Sequence, residues 1–311
     1  MSVALITATP TSLATLPESA RALASASISA ATRRAYAGAL ARVDAWLTGR
    51  PLNDATLSVY LAERFDAGAS PATAGQVVAA VRFRAKLAGA ATPTGPATDR
   101  VLAGFRREGR KRGHGQVAGI RWEQADTVAA NGDGSVAGLR DAALIALMSD
   151  AMLRVSECAA LDVQDLATEA DGTGRLTIRH SKTDQEGEGA VQFVGEPTVR
   201  RVQAWLAAAG IGEGAMFRRV RRGDHPTDAR ITARTIRAII VRRAADAGVE
   251  GRVSGHSLRV GAAQSLAAAG AGVVEMQIAG RWKSERQPSR YARAQLAGRG
   301  AVARLRYGAH Q

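Results

Sequence analysis

Cysteine, lysine, aromatic residues and long apolar runs are all scarce in this sequence of 311 residues. Cys158 is the single cysteine, which excludes an intrachain disulfide and a cysteine-rich metal site. No apolar run approaches the roughly 18–20 residues that a membrane-spanning helix needs, so we expect no membrane partner. Residues 1–29 have neither a basic start nor an uninterrupted apolar segment, and we interpret them as a flexible arm and not a signal peptide. These absences predict a cytoplasmic protein.

Positive charge, by contrast, is abundant, with a formal net charge of +14. Residues 1–116 carry 15 basic and 7 acidic side chains, and the remaining 195 residues carry 27 and 21. This balance is typical of a protein with a polyanionic partner, most often nucleic acid; the alternative is an arginine bias that serves only solubility. Only four of the 42 basic residues are lysines: Lys86, Lys111, Lys182 and Lys283. A lysine can lose its proton near neutral pH when its pKa is lowered, whereas arginine in effect cannot, so these positions are of interest.

Residues 30–112 have the pattern of a small helical bundle with basic faces. Apolar residues recur at helical spacing from Tyr36 to Leu47. Asn53 and the Ser70–Pro71 pair are typical of helix starts. We therefore expect four or five helices in this domain.

A glycine-flanked linker at 113–119 precedes a second domain, predicted at 120–293. Leu139–Met148 is strongly apolar, which predicts a buried helix. Residues 174–182 alternate in polarity and residues 190–195 form their hairpin partner across a glycine-containing loop. The fold class is therefore mainly α, with one small sheet in the second domain.

Two pairs of charged residues are candidates for chemistry. Arg154 and Glu157 lie three apart near a helix start; a surface ion pair is the simpler interpretation. Arg154, however, joins a long apolar helix to a segment expected to be buried, which favours an arginine that points into a cleft. His256 and Arg259 have the same spacing, and a cap by a nearby serine would place both on one helix face. A capping histidine with a solvated arginine is the alternative.

Lys182, Trp282 and Tyr291 complete the set. Each has an ordinary interpretation: an exposed hairpin lysine, a core tryptophan and an aromatic residue at a helix edge. Together with the two arginines and the histidine they can bind and cleave a phosphodiester. The tyrosine hydroxyl attacks phosphorus, the arginines neutralise charge on the phosphate oxygens, and the lysine protonates the leaving sugar oxygen. This chemistry needs no metal and no other cofactor, in keeping with the lack of clustered carboxylate or Cys/His ligands in the sequence.

These motifs resemble those of the tyrosine recombinase, or phage integrase, family. Within it they are most similar to the Cre-like site-specific recombinases, which have a tryptophan where most members have a second histidine. "LRVSE" resembles the family's first arginine box, "HSK" its hairpin lysine and "SGHSLRVGAA" its H-x-x-R box; "AGRW" supplies the tryptophan, and the tyrosine follows nine residues later. The resemblance covers 120–311 and, more loosely, the helical N-terminal domain. The catalytic residues that it implies are Arg154, Glu157, Lys182, His256, Arg259, Trp282 and Tyr291.

The resemblance also implies an architecture and an activity. It assigns residues 30–112 to a core-binding domain and residues 120–293 to a catalytic domain. The two domains together would clamp double-stranded DNA at an inverted-repeat target site. A homotetramer on two duplexes exchanges strands through a 3′-phosphotyrosine intermediate and a Holliday junction, without ATP. The helix expected at 294–311 docks into the neighbouring protomer. Such a protein would be cytoplasmic and associated with the nucleoid.

Other basic residues are expected to contact DNA. Those on the third helix of the bundle are candidates for groove or phosphate contacts, those before the linker for backbone contacts, and a further group flanks a helix of the second domain. They are Arg82, Arg84, Lys86, Arg106, Arg107, Arg110, Lys111, Arg112, Arg234, Arg237, Arg242 and Arg243.

Two alternatives to recombination stay open. A type IB topoisomerase-like enzyme uses the same chemistry as a monomer, although the predicted docking helix argues against it. A DNA-binding regulator without catalysis is the other; the presence of every active-site residue type argues against that.

Overall fold

The computed structural model describes residues 15–113, 115–179 and 189–297, together with residue 306. The chain divides into two compact units, Met1–Gly115 and Gln116–Gln311. Each unit has a hydrophobic core of its own. No helix of the described residues is long and apolar enough to cross a membrane.

The first unit is helical throughout its described elements. Its helices are α1 (Glu18–Ala26), α2 (Ala30–Leu47), α3 (Asp54–Asp66), α4 (Pro71–Leu87) and α5 (Pro96–Glu108). Val43, Leu57 and Val81 are among the buried residues of its core. The arm expected at 1–29 thus contains a helix, α1, whose alanine-rich sequence favours helix formation.

The helix starts expected at Asn53 and Ser70 are confirmed. The Asn53 side chain accepts a hydrogen bond from the backbone N–H of Thr56, and the Thr56 hydroxyl accepts one from the backbone N–H of Asn53. Ser70 accepts a hydrogen bond from the backbone N–H of Thr73, and Pro71 occupies the first turn of α4. These polar contacts satisfy N–H groups that have no partner within the helix, which is why the sequence predicted them well.

The second unit combines helices with short strands. Its helices are α6 (Trp122–Ala130), α7 (Val136–Asp150), α8 (Val155–Ala160), α9 (Glu196–Ala208), α10 (Ala233–Asp246), α11 (Ser257–Ala268), α12 (Val273–Gly280) and α13 (Arg286–Ala297). Its strands are β1 (Leu166–Thr168), β2 (Gly174–Ile178), β3 (Ala190–Val194), β4 (Arg218–Arg221) and β5 (His225–Arg230). Helix α7 is buried along most of its length, as its apolar sequence predicted, and packs against α6, α9 and α11.

The strands form two antiparallel sheets, one more than the sequence predicted. The expected hairpin of β2 and β3 is confirmed, with Leu176 opposite Gln192, and β1 adds a third strand beside β2. The expectation of a single sheet was wrong, because β4 pairs with β5. Both of these strands are rich in arginine and polar residues, so they lack the apolar alternation by which a strand is recognised in a sequence.

Candidate active site

Arg154 and Glu157 form a largely buried ion pair at the start of α8. Nη1 of Arg154 lies 2.5 Å from Oε1 of Glu157, and the backbone N–H of Arg154 donates to Oε2 at 2.9 Å. Their side chains are 13% and 2% exposed, so the simpler interpretation as a surface pair does not hold. The buried helix α7 ends at Asp150, four residues before Arg154, and supports the pair.

Arg281 is the second partner of Glu157, and the sequence did not predict it as a functional residue. Its Nη2 donates to Oε2 of Glu157 at 2.8 Å. Its Nη1 donates to the carbonyl oxygen of Ala151 at 2.9 Å, and Nη2 also donates to that of Met152 at 3.2 Å. One sequence signal could have indicated it: an arginine that directly follows an apolar helix and precedes the tryptophan in "AGRW".

Arg259 is 4% exposed and lies in the first turn of α11. It donates to the backbone carbonyls of Met152 and Gly280. Its guanidinium carbon lies 4.7 Å from the centroid of the Trp282 ring, in a cation–π arrangement. Arg259 therefore ties the end of α7 to the end of α12.

The tyrosine expected to be the nucleophile contacts this cluster. The rings of Tyr291 and Trp282 have their centroids 5.8 Å apart, and Tyr291 is partly buried against the small apolar cluster that contains Trp282. Gly280 makes the arrangement possible, since a Cβ atom at that position would overlap the Trp282 ring. Helix α13 includes Pro288 in its first turn. Proline is tolerated there because a first-turn N–H needs no partner within the helix.

His256 occupies the N-cap position of α11 and is exposed. The cap expected from Ser254 or Ser257 is not formed as predicted: Ser254 Oγ accepts from the backbone N–H of His256 at 3.2 Å, and Ser257 Oγ accepts from the backbone N–H of Ser254 at 2.9 Å. A Cβ atom at Gly255 would lie 2.5 Å from Cγ1 of Val155. This close approach brings the His256 turn against the residue that follows Arg154.

The site thus forms a continuous series of contacts. Arg154 bonds Glu157, which bonds Arg281; Arg281 and Arg259 share the carbonyl of Met152, and the ring of Trp282 lies between Arg259 and Tyr291. Lys182 and the segment 180–188 lie outside the described residues, as does most of the helix expected at 294–311.

Burial and neighbouring charges shift pKa values in this site. Burial alone would raise the pKa of Glu157, but Arg281, the backbone hydrogen bond from Arg154 and the Arg154 charge outweigh it and lower that pKa. Burial lowers the pKa of Arg259 to about 9, assisted by the positive charges of Arg154 and Arg281 and opposed by Glu157 and Tyr291. Glu157 is therefore a carboxylate and Arg259 a cation at neutral pH.

The cluster suits an anion with several oxygen atoms. Arg154, Arg259 and Arg281 face a single carboxylate, Glu157, so the described side chains of the cluster carry an excess of positive charge. Among residues 15–113, 115–179 and 189–297, no group of three or more His, Cys, Asp or Glu side chains is placed to hold a metal ion.

The basic residues expected to contact DNA fall into two groups. Five have internal partners: Arg82 pairs with Asp99, Arg84 with Asp44, Arg242 and Arg243 with Asp141, and Arg112 lies over the ring of Phe65. Arg82 and Arg242 of this group are nevertheless exposed. The other seven are exposed too: Lys86, Arg106, Arg107, Arg110, Lys111, Arg234 and Arg237. Only Arg107 among these seven has a described ion-pair partner, Glu108 at 4.0 Å.

Comparison with known proteins identifies the family. Residues 120–297, more than half of the chain, match the phage integrase family. The chain belongs to the phage integrase family. Two of its relatives are an integrase/recombinase XerD homolog of Selenomonas ruminantium, 31% identical over 163 residues, and the recombinase Cre of Escherichia phage P1, 25% identical over 181 residues. The matches cover 50% and 54% of this chain and 48% and 53% of those proteins, so the chain spans about half the length of these relatives.

Solved structures share the fold of this phage integrase family member. The site-specific recombinase XerH, bound to a palindromic difH substrate, has a TM-score of 0.61 at 13% identity and covers 86% of this chain and 78% of its own. The Tn1549 transposon integrase, in complex with transposon right end DNA, has a TM-score of 0.60 at 14% identity, with coverage of 87% and 94%. A lambda integrase dimer bound to a core site has a TM-score of 0.56 at 16% identity, with coverage of 88% and 74%. At these low identities, the TM-scores show a common fold alone.

Proposed function

We propose that this protein is a site-specific DNA recombinase that cleaves and rejoins strands through a covalent link to Tyr291. The observation that carries the proposal is the contact between the Tyr291 ring and Trp282, whose ring lies beneath the guanidinium of Arg259. A tyrosine hydroxyl is thereby held near a cluster of cations that suits a phosphate group. The similar structures of XerH and of the Tn1549 transposon integrase are complexes with DNA, which supports the same conclusion.

The proposed cleavage step is an attack of the Tyr291 hydroxyl oxygen on the phosphorus of the DNA backbone. A bond forms between that oxygen and phosphorus, and the bond from phosphorus to the 5′ oxygen breaks. The products are a 3′-phosphotyrosine and a free 5′ hydroxyl. Ligation is the reverse reaction with a 5′ hydroxyl from another strand, so the phosphodiester bond energy is conserved and ATP is not required.

The other side chains of the site have separate proposed roles in the cleavage step. Arg154 and Arg259 neutralise the charge that develops on the non-bridging phosphate oxygens, while Glu157 keeps Arg154 in position. His256 and Trp282 offer further N–H donors. Lys182 is proposed to protonate the leaving 5′ oxygen, because lysine can release a proton near neutral pH in an environment that lowers its pKa.

The partners and assembly are part of the proposal. We infer that two protomers bind a duplex at an inverted repeat, that a homotetramer joins two duplexes, and that residues 294–311 dock into a neighbouring protomer. Its place of action would be the nucleoid. The seven exposed basic residues are the proposed phosphate contacts, since the other five already have partners within their own unit.

The test compares wild-type protein with Tyr291→Phe on a pool of nicked duplexes that tile the DNA flanking the protein's own gene. Wild-type protein should form an adduct that survives denaturing electrophoresis, and Tyr291→Phe should bind the same duplexes without forming one. Tyr36→Phe is the matched control, because Tyr36 packs against Phe83 in the first unit. An adduct that persists in Tyr291→Phe would exclude Tyr291 as the nucleophile.

Recombination and simple nicking–closing are separated by a second experiment. Paired target sites on one plasmid should be recombined, whereas a supercoiled plasmid without a site should keep its supercoils. Relaxation of that plasmid without recombination of paired sites would favour a topoisomerase-like activity.

A further inference from the structure

We propose that Arg281 is a positioning residue for strand cleavage, which fixes the Glu157 carboxylate and, through it, the guanidinium of Arg154. The inference rests on the proposed function for its consequence in catalysis. The coupling between Arg281 and Glu157 can be measured without DNA.

The contacts of Arg281 connect three parts of the second unit. Its guanidinium donates to the carbonyls of Ala151 and Met152 at the end of α7, and to Glu157 Oε2 in α8. Its backbone ends α12 directly before Trp282, with N–H donating to the carbonyl of Ile278. One side chain therefore sets the distance between the element that carries Arg154 and the element that carries Trp282.

Glu157 transmits the position of Arg281 to Arg154. Its two carboxylate oxygens accept hydrogen bonds from different donors. Oε1 accepts from Nη1 of Arg154, and Oε2 accepts from the backbone N–H of Arg154 and from Nη2 of Arg281. At 2% exposure the carboxylate is shielded from water, so its orientation is set by these donors. Loss of the Arg281 contact would remove a charged donor from Oε2 of Glu157, so the carboxylate, and with it the Arg154 guanidinium, would be held less firmly in place.

Arg281 is assigned a positioning role because, unlike Arg259, it bonds the Glu157 carboxylate that holds Arg154. Both terminal nitrogens bond groups of the protein. Its Nε is buried and has no hydrogen-bond partner within the described part of the chain. The Arg281 side chain is 9% exposed, so these contacts are largely shielded from water.

The backbone at Arg281 offers a clean way to remove the side chain. Its φ is +50° and its ψ is +48°, in the left-handed region that glycine adopts most readily. Arg281→Gly therefore deletes the guanidinium while it favours the native backbone. Arg281→Lys keeps a positive charge near Glu157, but its single nitrogen cannot take the positions of both terminal nitrogens of the guanidinium.

Arg218 provides the matched control. It also bonds two backbone carbonyls, those of Glu213 and Ala215, and one carboxylate, Asp228. Its strand, β4, is not part of the active-site cluster. Arg218→Ala should therefore test the effect of losing an arginine with the same kinds of partners elsewhere in the unit.

The catalytic experiment measures adduct formation at saturating DNA, with nicked duplexes from the gene's flanking DNA as the probe. Arg281→Gly should lower the rate constant for cleavage by about 10²-fold, as expected for a small misplacement of a catalytic group, with DNA affinity unchanged within about twofold. Arg281→Lys should recover about tenfold of that loss. Arg218→Ala should cleave like the wild type. If wild-type protein cleaves and Arg281→Gly cleaves equally fast, or if lysine is no better than glycine, the inference is wrong while the proposed function stands.

The DNA-free experiment follows the pH dependence of thermal unfolding. Glu157 has a lowered pKa in the folded protein, so its stabilisation is present above its unfolded pKa and is lost as pH falls through the folded value. Removal of Arg281 raises the folded pKa of Glu157, so in Arg281→Gly the loss of stability should be smaller and should be complete at a higher pH. In a Glu157→Gln background, Arg281→Gly should leave the shape of the pH dependence of thermal unfolding unchanged. Among the described residues, the charged or titratable groups that face Glu157 include Arg154, Arg281, Arg259, Cys158, Asp165 and Arg179.

The two experiments separate the two hypotheses. An unshifted pH profile in Arg281→Gly would exclude the coupling to Glu157, whatever the protein does with DNA. A shifted profile together with a wild-type protein that forms no adduct would support the coupling and count against the proposed function.

Discussion

Arg259 and Arg281 donate hydrogen bonds to the same acceptor, the backbone carbonyl oxygen of Met152, at 2.5 and 3.2 Å. Two buried cations on one oxygen atom repel each other, and the charge of Arg281 indeed lowers the pKa of Arg259. Glu157 offsets part of the repulsion, but three guanidiniums face this one carboxylate in the described cluster. A phosphodiester carries one negative charge and its pentacovalent transition state gains more, so the excess positive charge is matched better to the transition state than to the ground state.

Replacement of Arg259 tests this electrostatic role. Arg259→Lys should lower the rate constant for cleavage about 10²- to 10³-fold, because an ammonium cannot bond two phosphate oxygens in one plane. DNA affinity should change little, since the contact of one arginine contributes little among many phosphate contacts. Single-turnover cleavage and binding titrations on the same duplex measure the two effects. A loss of affinity as large as the loss of rate would contradict the assignment.

The ionised carboxylate of Glu157 should make the free energy of unfolding depend on pH. Glu157→Gln removes the partner of two buried arginines and should destabilise the protein by about 3–5 kcal/mol at pH 7. Since the folded pKa of Glu157 is lowered, this difference should narrow as pH falls below its ordinary value of 4.5 and through the folded value. Denaturant unfolding at a series of pH values measures it, with the exposed Glu250→Gln as the control. A difference that does not depend on pH would show that Glu157 is not an ionised partner.

Gly280 should not tolerate a side chain. Gly280→Ala places a methyl group in the volume of the Trp282 ring and should cost about 1–3 kcal/mol of stability. The displaced ring would lose its contacts with Arg259 and Tyr291, so adduct formation should also fall. Gly212→Ala is the control, because no atom lies within 4 Å of a Cβ at that position. Equal thermal stability of the two variants would contradict the packing described for Trp282.

Two arginines of α10 should behave differently. Arg237 is exposed, so Arg237→Gln should leave stability unchanged and reduce the slope of log K against log salt by about 1. Arg243 bonds the buried Asp141 at 3.0 Å, so Arg243→Gln should lower the melting temperature. Fluorescence anisotropy at several salt concentrations, with thermal melts of the same samples, measures both. An unchanged salt slope in Arg237→Gln would remove that residue from the DNA interface.

Local sequence spacing was sufficient for the features that depend on neighbours in the chain. The caps at Asn53 and Ser70 and the hairpin of β2 and β3 were predicted because each depends on residues close in sequence. The pairing of Arg154 with Glu157 likewise follows from a separation of three residues at a helix start. The N-cap at His256 was one of two interpretations left open by the sequence, because several polar residues compete there and only the folded backbone decides among them.

The sequence by itself determined which residue types were available for phosphate chemistry and which of them lie one helical turn apart. The tertiary structure alone decided that Glu157 serves two arginines, since Arg281 lies 124 residues further along the chain. It likewise decided that Arg84 and Arg243 are held by acidic partners of distant segments, while Arg237 faces outward. The reason is physical: the spacing of neighbours in a helix is fixed by its geometry, whereas pairs across the core depend on how whole elements pack.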